Sequence, residues 1–213
     1  MRSRAERRAA LVVLAKSPEP GAVKTRLAPL LGSGGAADLH ARLVERMLRT
    51  ARAAHGARLE LHGAPHRHPF FLACARRFGA RLRAQGGGDL GRRMLRALEG
   101  ALRAADYAVL VGTDCPALRP GDLRAALRAL REGNDAVFAP AEDGGYALVG
   151  VRRAAKALFA GVPWGTARVF GATRRRLARL GWRWVRLRTV WDVDRPEDYA
   201  RLEREGVLKG VRG

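Results

Sequence analysis

Apolar positions along this chain switch repeatedly between two spacings. Residues 9–15 are an unbroken run of Ala, Leu and Val, and residues 108–111 form a second such run. Short β-branched runs of this kind read as buried strands. Over residues 36–54 the spacing becomes helical, placing Leu39, Leu43, Met47 and Leu48 on one face. A strand follows at 58–62, then a helix at 70–78, a weak strand at 81–84, and a helix with Met94, Leu95, Leu98 and Leu102 turned inward. After the strand at 108–111 come a helix at 122–132, strands at 136–139 and 147–151, a helix ending at 180, and a period-two strand at 182–187. Pro196, with acids beside it, opens a last helix. The Pro- and Gly-punctuated segment 16–27 fits neither helix nor strand. This alternation predicts an α/β fold, a single domain over residues 1–213 with its core at about 9–204. Its central sheet is expected to be mostly parallel, with helices on both faces.

A chain of 213 residues with 47% hydrophobic content can bury a core without staples. Its two cysteines, Cys74 and Cys115, have neither metal spacing nor a disulfide framework, which points to a reducing, cytoplasmic compartment. Arg2, Arg4, Arg7 and Arg8 ahead of an apolar run resemble a signal peptide. That run spans only residues 9–15, and no small-residue cleavage site follows, so it is read as the first strand. No stretch approaches the roughly 20 apolar residues of a membrane span.

The formal net charge of +21 invites a nucleic-acid reading. Only four of the 41 basic residues are Lys, and the 37 arginines are scattered over nearly every helix. Aromatics are 6% and are not interleaved with them, a pattern that a codon preference for Arg explains as well. The five histidines, His66 and His68 among them, show no i, i+4 ligand pair on a helix and read as surface residues.

Candidate chemistry collects just beyond strand ends, where ligands bind in open α/β sheets. Asp114 follows the 108–111 strand on a Gly112-Thr-Asp-Cys-Pro116 turn, suited to holding a divalent cation or, alternatively, to capping the turn or helix. Lys16, Lys24 and Arg26 lie in the first loop, with Gly21 permitting close backbone approach, and can neutralise a di- or triphosphate. Lys24-Thr25 fails the P-loop pattern because Val23 replaces the required Gly. Gly86 to Gly91 satisfies G-x-G-x-x-G, but poly-glycine does so easily, and the motif falls in the third βα unit. Asp143-Gly-Gly-Tyr146 reads either as a hairpin turn or as a functional loop. Asp192 and Asp194 are either the N-cap and its neighbour for the last helix or, with Asp114, metal ligands.

Five motifs in order then carry a resemblance: Lys16-Ser-Pro-x-Pro-Gly-x-Val-Lys-Thr-Arg-Leu27, Gln85-x-x-Gly-Asp-Leu-Gly-x-Arg-Met94, Gly112-Thr-Asp-Cys-Pro116, Asp143-Gly-Gly-Tyr146 and Asp192-Val-Asp-x-Pro-Glu-Asp198. Over residues 11–202 the chain resembles bacterial glycosyltransferase-A-like transferases of the selenodomain-associated type, within the nucleotide-diphospho-sugar transferase superfamily. The resemblance implies the glycosyltransferase-A fold, a Mg²⁺ or Mn²⁺ cofactor, and a nucleotide-sugar or NTP with a small-molecule acceptor as substrates. It gives the phosphates to Gly21, Lys24 and Arg26, the base to Gln85 and the Leu90-Gly91 backbone, and the metal to Asp114 and Asp194. Asp143, Gly144, Gly145 and Tyr146, with Trp164 and Thr166, would face the acceptor or sugar. Many nucleotidyltransferases also carry a catalytic Lys in a Pro-Lys pair after this loop. Leu27-Ala-Pro-Leu-Leu-Gly32 has none, leaving Lys24 as the nearest candidate. Glycosyl transfer is therefore the leading expectation, nucleotidyl transfer with pyrophosphate release the second, and nucleic-acid binding a remote third.

Overall fold

A computed structural model describes residues 9–208; Arg2, Arg4, Arg7 and Arg8 lie outside them. Seven strands form one sheet: β1 (Ala9–Lys16), β2 (Arg58–Ala64), β3 (Arg81–Ala84), β4 (Tyr107–Val111), β5 (Ala136–Pro140), β6 (Tyr146–Val151) and β7 (Trp184–Arg186). They lie in the order β3-β2-β1-β4-β6-β5-β7. All neighbours are parallel except β6, which runs antiparallel to both β4 and β5. The helices are α1 (Ala28–Ala54), α2 (Pro69–Phe78), α3 (Leu90–Leu102), α4 (Pro120–Arg131), α5 (Lys156–Phe159), α6 (Val169–Arg179) and α7 (Pro196–Glu205).

Strand alternation sends side chains to both faces of the sheet, and each face is covered. On one, Leu11, Val13, Val109 and Val111 pack with Leu48 of α1, Phe71 of α2 and Leu123 of α4. On the other, Val12, Leu110, Phe138 and Val149 meet Met94 and Leu98 of α3, Phe159 of α5 and Leu177 of α6. A third cluster, including Leu39, Leu43, Trp191, Val193 and Leu202, fastens α7 and the segment before it to α1. The expected architecture is thus the observed one.

Departures from the expected elements have local causes. Helix α1 begins at Ala28 rather than 36, because a first turn carrying Pro29 joins the long helix across a kink at Gly32 (φ 70°, ψ 164°). The single-turn α5 is too short to show helical periodicity. The strand expected at 182–187 shrinks to three residues, since Trp182 turns into the core instead. Both histidines on apolar elements are buried rather than superficial: His40 is 5% exposed on α1 and His62 is 5% exposed on β2.

His62 belongs to a buried charge cluster on the α3 side of β2. Arg58 Nε donates to Glu60 Oε1 at 2.9 Å, and His62 Nε2 lies 3.1 Å from Glu60 Oε2. Burial raises the Glu60 pKa, but the hydrogen bond from His62 and the Arg58 charge outweigh it and hold the carboxyl below its ordinary value. A lowered folded-state value means stability that is present above the unfolded pKa and is lost as pH falls through the folded one. Thermal unfolding followed by circular dichroism from pH 7 to pH 3 is therefore expected to show an acid limb to which Glu60 contributes. Glu60→Gln should lower stability at neutral pH by about 3 kcal/mol, as for a broken buried pair, and flatten that limb. An unchanged limb in the variant would remove Glu60 from the account.

Candidate active site

The parallel strands β1 and β4 end side by side, and β6, being antiparallel, begins beside them. Three loops and a hairpin therefore open onto one end of the sheet, around a cleft of about 580 Å³. The first loop leaves β1 at Lys16 and reaches Lys24, which adopts left-handed backbone angles (φ 49°, ψ 36°). That conformation is rare for a residue with a Cβ, and here the Lys24 side chain is 5% exposed. Its Nζ donates to Val193 O at 2.6 Å and forms an ion pair with Asp114. Arg26 pairs with Asp194.

Asp114 stands past the C-terminal end of β4, its carboxylate 52% exposed to the cleft. It does not cap α4. That helix is capped from within, Arg119 N donating to Asp122 Oδ2 at 2.8 Å. Helix α7 repeats the arrangement, with the Arg195 and Asp194 amides donating to Asp198 Oδ2 at 2.8 and 3.0 Å. The capping alternatives for Asp114, Asp192 and Asp194 thus fail, because Asp122 and Asp198 do that work. Burial opposes ionisation of Asp114, yet Lys24 overcomes it and keeps the carboxyl below its usual range. Asp192 is the reverse case: burial, then the charges of Asp143 and Asp114, push it up to about 6.

The 190–194 segment is held against this turn by hydrogen bonds to its backbone. Val193 N donates to Asp114 O at 2.9 Å, and Cys115 Sγ to Trp191 O at 2.9 Å. Gln85 Nε2 donates to Ala15 O at 2.6 Å and His62 O at 2.9 Å, tying the ends of β1 and β2 together. Asp143 lies in the hairpin between β5 and β6, its Oδ1 accepting from Gly145 N at 2.8 Å. The Asp-Gly hairpin reading holds, and the same turn borders the cleft.

Of the residues singled out from sequence, Lys16, Lys24, Arg26, Gln85, Leu90, Asp114, Asp143, Tyr146, Asp192 and Asp194 line the cleft. Gly21, Gly91, Gly144, Gly145, Trp164 and Thr166 do not. Gly91 lies under Trp164: a Cβ there would come within 2.6 Å of the indole nitrogen. Trp164 packs edge-on to Tyr146, and the Thr166 hydroxyl donates to Pro163 O at 2.8 Å. Among the described residues no three His, Cys, Asp or Glu side chains stand close enough to form a metal cage.

Arg93, which stands in the Gln85–Met94 motif but was given no role there, also lines the cleft. His40, expected at the surface, lines it too, its Nε2 3.1 Å from Lys16 O and its Nδ1 4.0 Å from Asp114 Oδ1. Burial lowers its pKa, with Asp114 opposing. The signal was the Ala36-His40-Val44 stripe, i, i+4, i+8 on the apolar face of α1.

Residues 45–166 match a family model described as an uncharacterized protein conserved in bacteria, DUF2064. The chain belongs to this family. No curated protein matches it. The DUF2064 chain is 32% identical to a Desulfovibrio desulfuricans G20 protein described provisionally as a nucleotide-diphospho-sugar transferase. The two superpose with a TM-score of 0.84 over 93% of this chain and 87% of that one. The fold is also shared with CMP:2-keto-3-deoxy-manno-octonic acid synthetase complexed with CTP (12% identity, TM-score 0.59, 95% and 99% coverage). Glucosyl-3-phosphoglycerate synthase from Mycobacterium tuberculosis, complexed with Mn²⁺, UDP and glucosyl-3-phosphoglycerate, shares it too (15% identity, TM-score 0.52, 98% and 78% coverage). The nucleotide-diphospho-sugar transferase fold expected from the motifs is the fold of these neighbours. No helix among the described residues is long and apolar enough to cross a membrane.

Proposed function

We propose that this protein is a divalent-metal-dependent transferase that uses a nucleotide-activated donor, and specifically a glycosyltransferase acting on a nucleotide-sugar. The observation that carries the reading is the convergence, in one cleft at the strand ends, of Asp114, Asp192 and Asp194 with Lys16, Lys24 and Arg26. A diphosphate held by a metal needs that mixture of hard oxygen donors and cations. The donor set fits Mg²⁺ or Mn²⁺. Mg²⁺ is commonly held by one or two carboxylates plus substrate phosphates, so Asp114 with Asp194 or Asp192 suffices without a three-ligand cage. Crowding of Asp192 by Asp143 and Asp114 is a cost that a cation relieves. When bound, the metal would supply charge neutralisation at the diphosphate.

In the structure Lys24 and Arg26 pair with Asp114 and Asp194. During binding they would turn from those carboxylates to the phosphates and offset the negative charge that develops on the leaving group. Gln85 and Leu90 would border the base, with Gly91 letting Trp164 pack behind them, and Gly21 would let the first loop close on the phosphates. Asp143, with one carboxylate oxygen outside the turn's own hydrogen bond, would orient the acceptor hydroxyl or take its proton. Tyr146 and the Gly144-Gly145 turn would shape the acceptor side, with Trp164 and Thr166 behind it. The motifs favour the selenodomain-associated type, and two buried free thiols suit a cytoplasmic setting.

A second reading, nucleotidyl transfer, draws on the first loop, since the buried Lys24 would serve as the catalytic Lys and a CTP-bound synthetase shares the fold. Thermal-shift measurements with NTPs and nucleotide-sugars, with and without Mg²⁺ or Mn²⁺, separate the two. Ligand at a hundredfold excess over Kd stabilises by about 2.7 kcal/mol. The expected result is a metal-dependent shift with a UDP- or GDP-sugar. A shift with an NTP alone, followed by pyrophosphate release, would transfer the conclusion to nucleotidyl transfer. No shift with any of them would remove both.

A further inference from the structure

We infer that the groove between α3 and the outer strands β2 and β3 is a second ligand site, one that binds a small phosphate-bearing anion. It is separate from the cleft at the strand ends and does not rest on the function proposed for that cleft. The groove encloses about 380 Å³, and five arginines line it: Arg58, Arg81, Arg83, Arg96 and Arg103. Glu60 is the one acid in its lining, and Arg58 and His62 already share it. Pairing of Glu60 with Arg81 and of His62 with Arg83 across β2 and β3 stands those two arginines beside the same polar floor. Among the described residues Arg81, Arg83 and Arg103 make no salt bridge, so three exposed guanidinium groups line the groove without a carboxylate of their own.

Two further features point to a ligand rather than to a merely solvated basic face. His62 on the floor is 5% exposed, and its Nδ1 is buried with no hydrogen-bond partner. A native fold seldom leaves such an atom unsatisfied. On the helix wall the groove is lined by Gly100, with Ala104 just past the end of α3, and a Cβ added at Gly100 would meet nothing within 4 Å. Glycine is a poor choice inside a helix, and there it leaves room for a group to approach the backbone. Guanidinium forks match phosphate oxygens. Single-stranded nucleic acid is bound on stacking aromatics, and no Phe, Tyr or Trp lines this groove. A small anion is the occupant that fits.

The test is a titration of the full chain with inorganic pyrophosphate and, separately, with a sugar phosphate, both without divalent cation, followed by amide NMR and calorimetry. Pyrophosphate or the sugar phosphate should shift the Arg81, Arg83, Gly100 and Ala104 amides together. The triple variant Arg81→Ala, Arg83→Ala, Arg103→Ala, whose side chains are exposed, should keep its circular dichroism and bind the same probe at least about tenfold more weakly at this site. Shifts confined to residues of the strand-end cleft would overturn the proposal, as would unchanged affinity in the folded triple variant. So would arginine-dependent binding of a short oligothymidylate with no response to either small anion. The amide map on the unmodified chain decides the matter even if the triple variant fails to fold.

Discussion

Asp114→Asn is expected to reduce metal-dependent nucleotide binding by more than about 100-fold while leaving the fold in place. Losses of that order already follow the removal of outer-shell partners of metal ligands, and Asp114 is argued to be a ligand itself. Asparagine keeps the size of the side chain and an oxygen acceptor for Lys24, so only the charge is lost. The carboxylate is half exposed to the cleft, which makes the ion pair with Lys24 a screened one, worth on the order of 1 kcal/mol. For a chain of this length that is a melting shift of roughly 2–4 °C. The measurement is the Mn²⁺-dependent thermal shift with the best nucleotide-sugar, compared between wild type and variant. Equal affinity in both would exclude Asp114 from the metal site.

Gly144→Ala should be the most damaging small substitution near the cleft. Gly144 has φ +87°, in the left-handed half of backbone space where an added Cβ is strained. That Cβ would also lie 2.3 Å from Ala167 O and 2.6 Å from Ala167 Cα, and backbone cannot swing aside as a side chain can. The glycine carbonyl accepts from Phe170 N at 2.9 Å, so the hairpin tip is fastened to the start of α6 at the point of collision. Destabilisation above about 3 kcal/mol follows from strain and clash together. Differential scanning calorimetry should show a melting point lower by roughly 6–12 °C. A drop of less than a couple of degrees would mean that the hairpin adjusts freely. Activity should fall as well, because the turn that moves also carries Asp143.

The order of strands and helices was readable because each element carries a long or strongly apolar pattern. The gathering of acids and cations at the strand ends was readable because Asp114, Lys24 and Asp194 sit on short sequence motifs. What stayed hidden depended on contacts between distant segments. Nothing local says that Gly91 must be a glycine to admit Trp164, since the two are brought together only by packing of α3 against the loop after α5. Nor does spacing say which acids cap helices: Asp122 and Asp198 sit at the third helical position, and this leaves Asp114, Asp192 and Asp194 free for the cleft. His40 and His62 were misread because absence of a ligand pair was taken for exposure, whereas each lies on the inward face of its own element. Pairing of expected phosphate cations with expected metal carboxylates could not come from sequence at all.

The place of β6 also bears on how the chain assembles during synthesis. By the time Pro140 is made, β4 has a partner on one side only, and β5 has none among the strands that precede it. The open edge of β4 and one edge of β5 are completed by residues 146–151, which slide in between as an antiparallel wedge. The slot is narrow: any Cβ at Gly150 would lie within 3.0 Å of Val137 on one flank and Val109 on the other. Until that wedge arrives, two apolar strands stand with unpaired backbone, the condition under which sheets join to the wrong neighbour. A nascent chain halted between β5 and β6 is thus the form of this protein most in need of a chaperone.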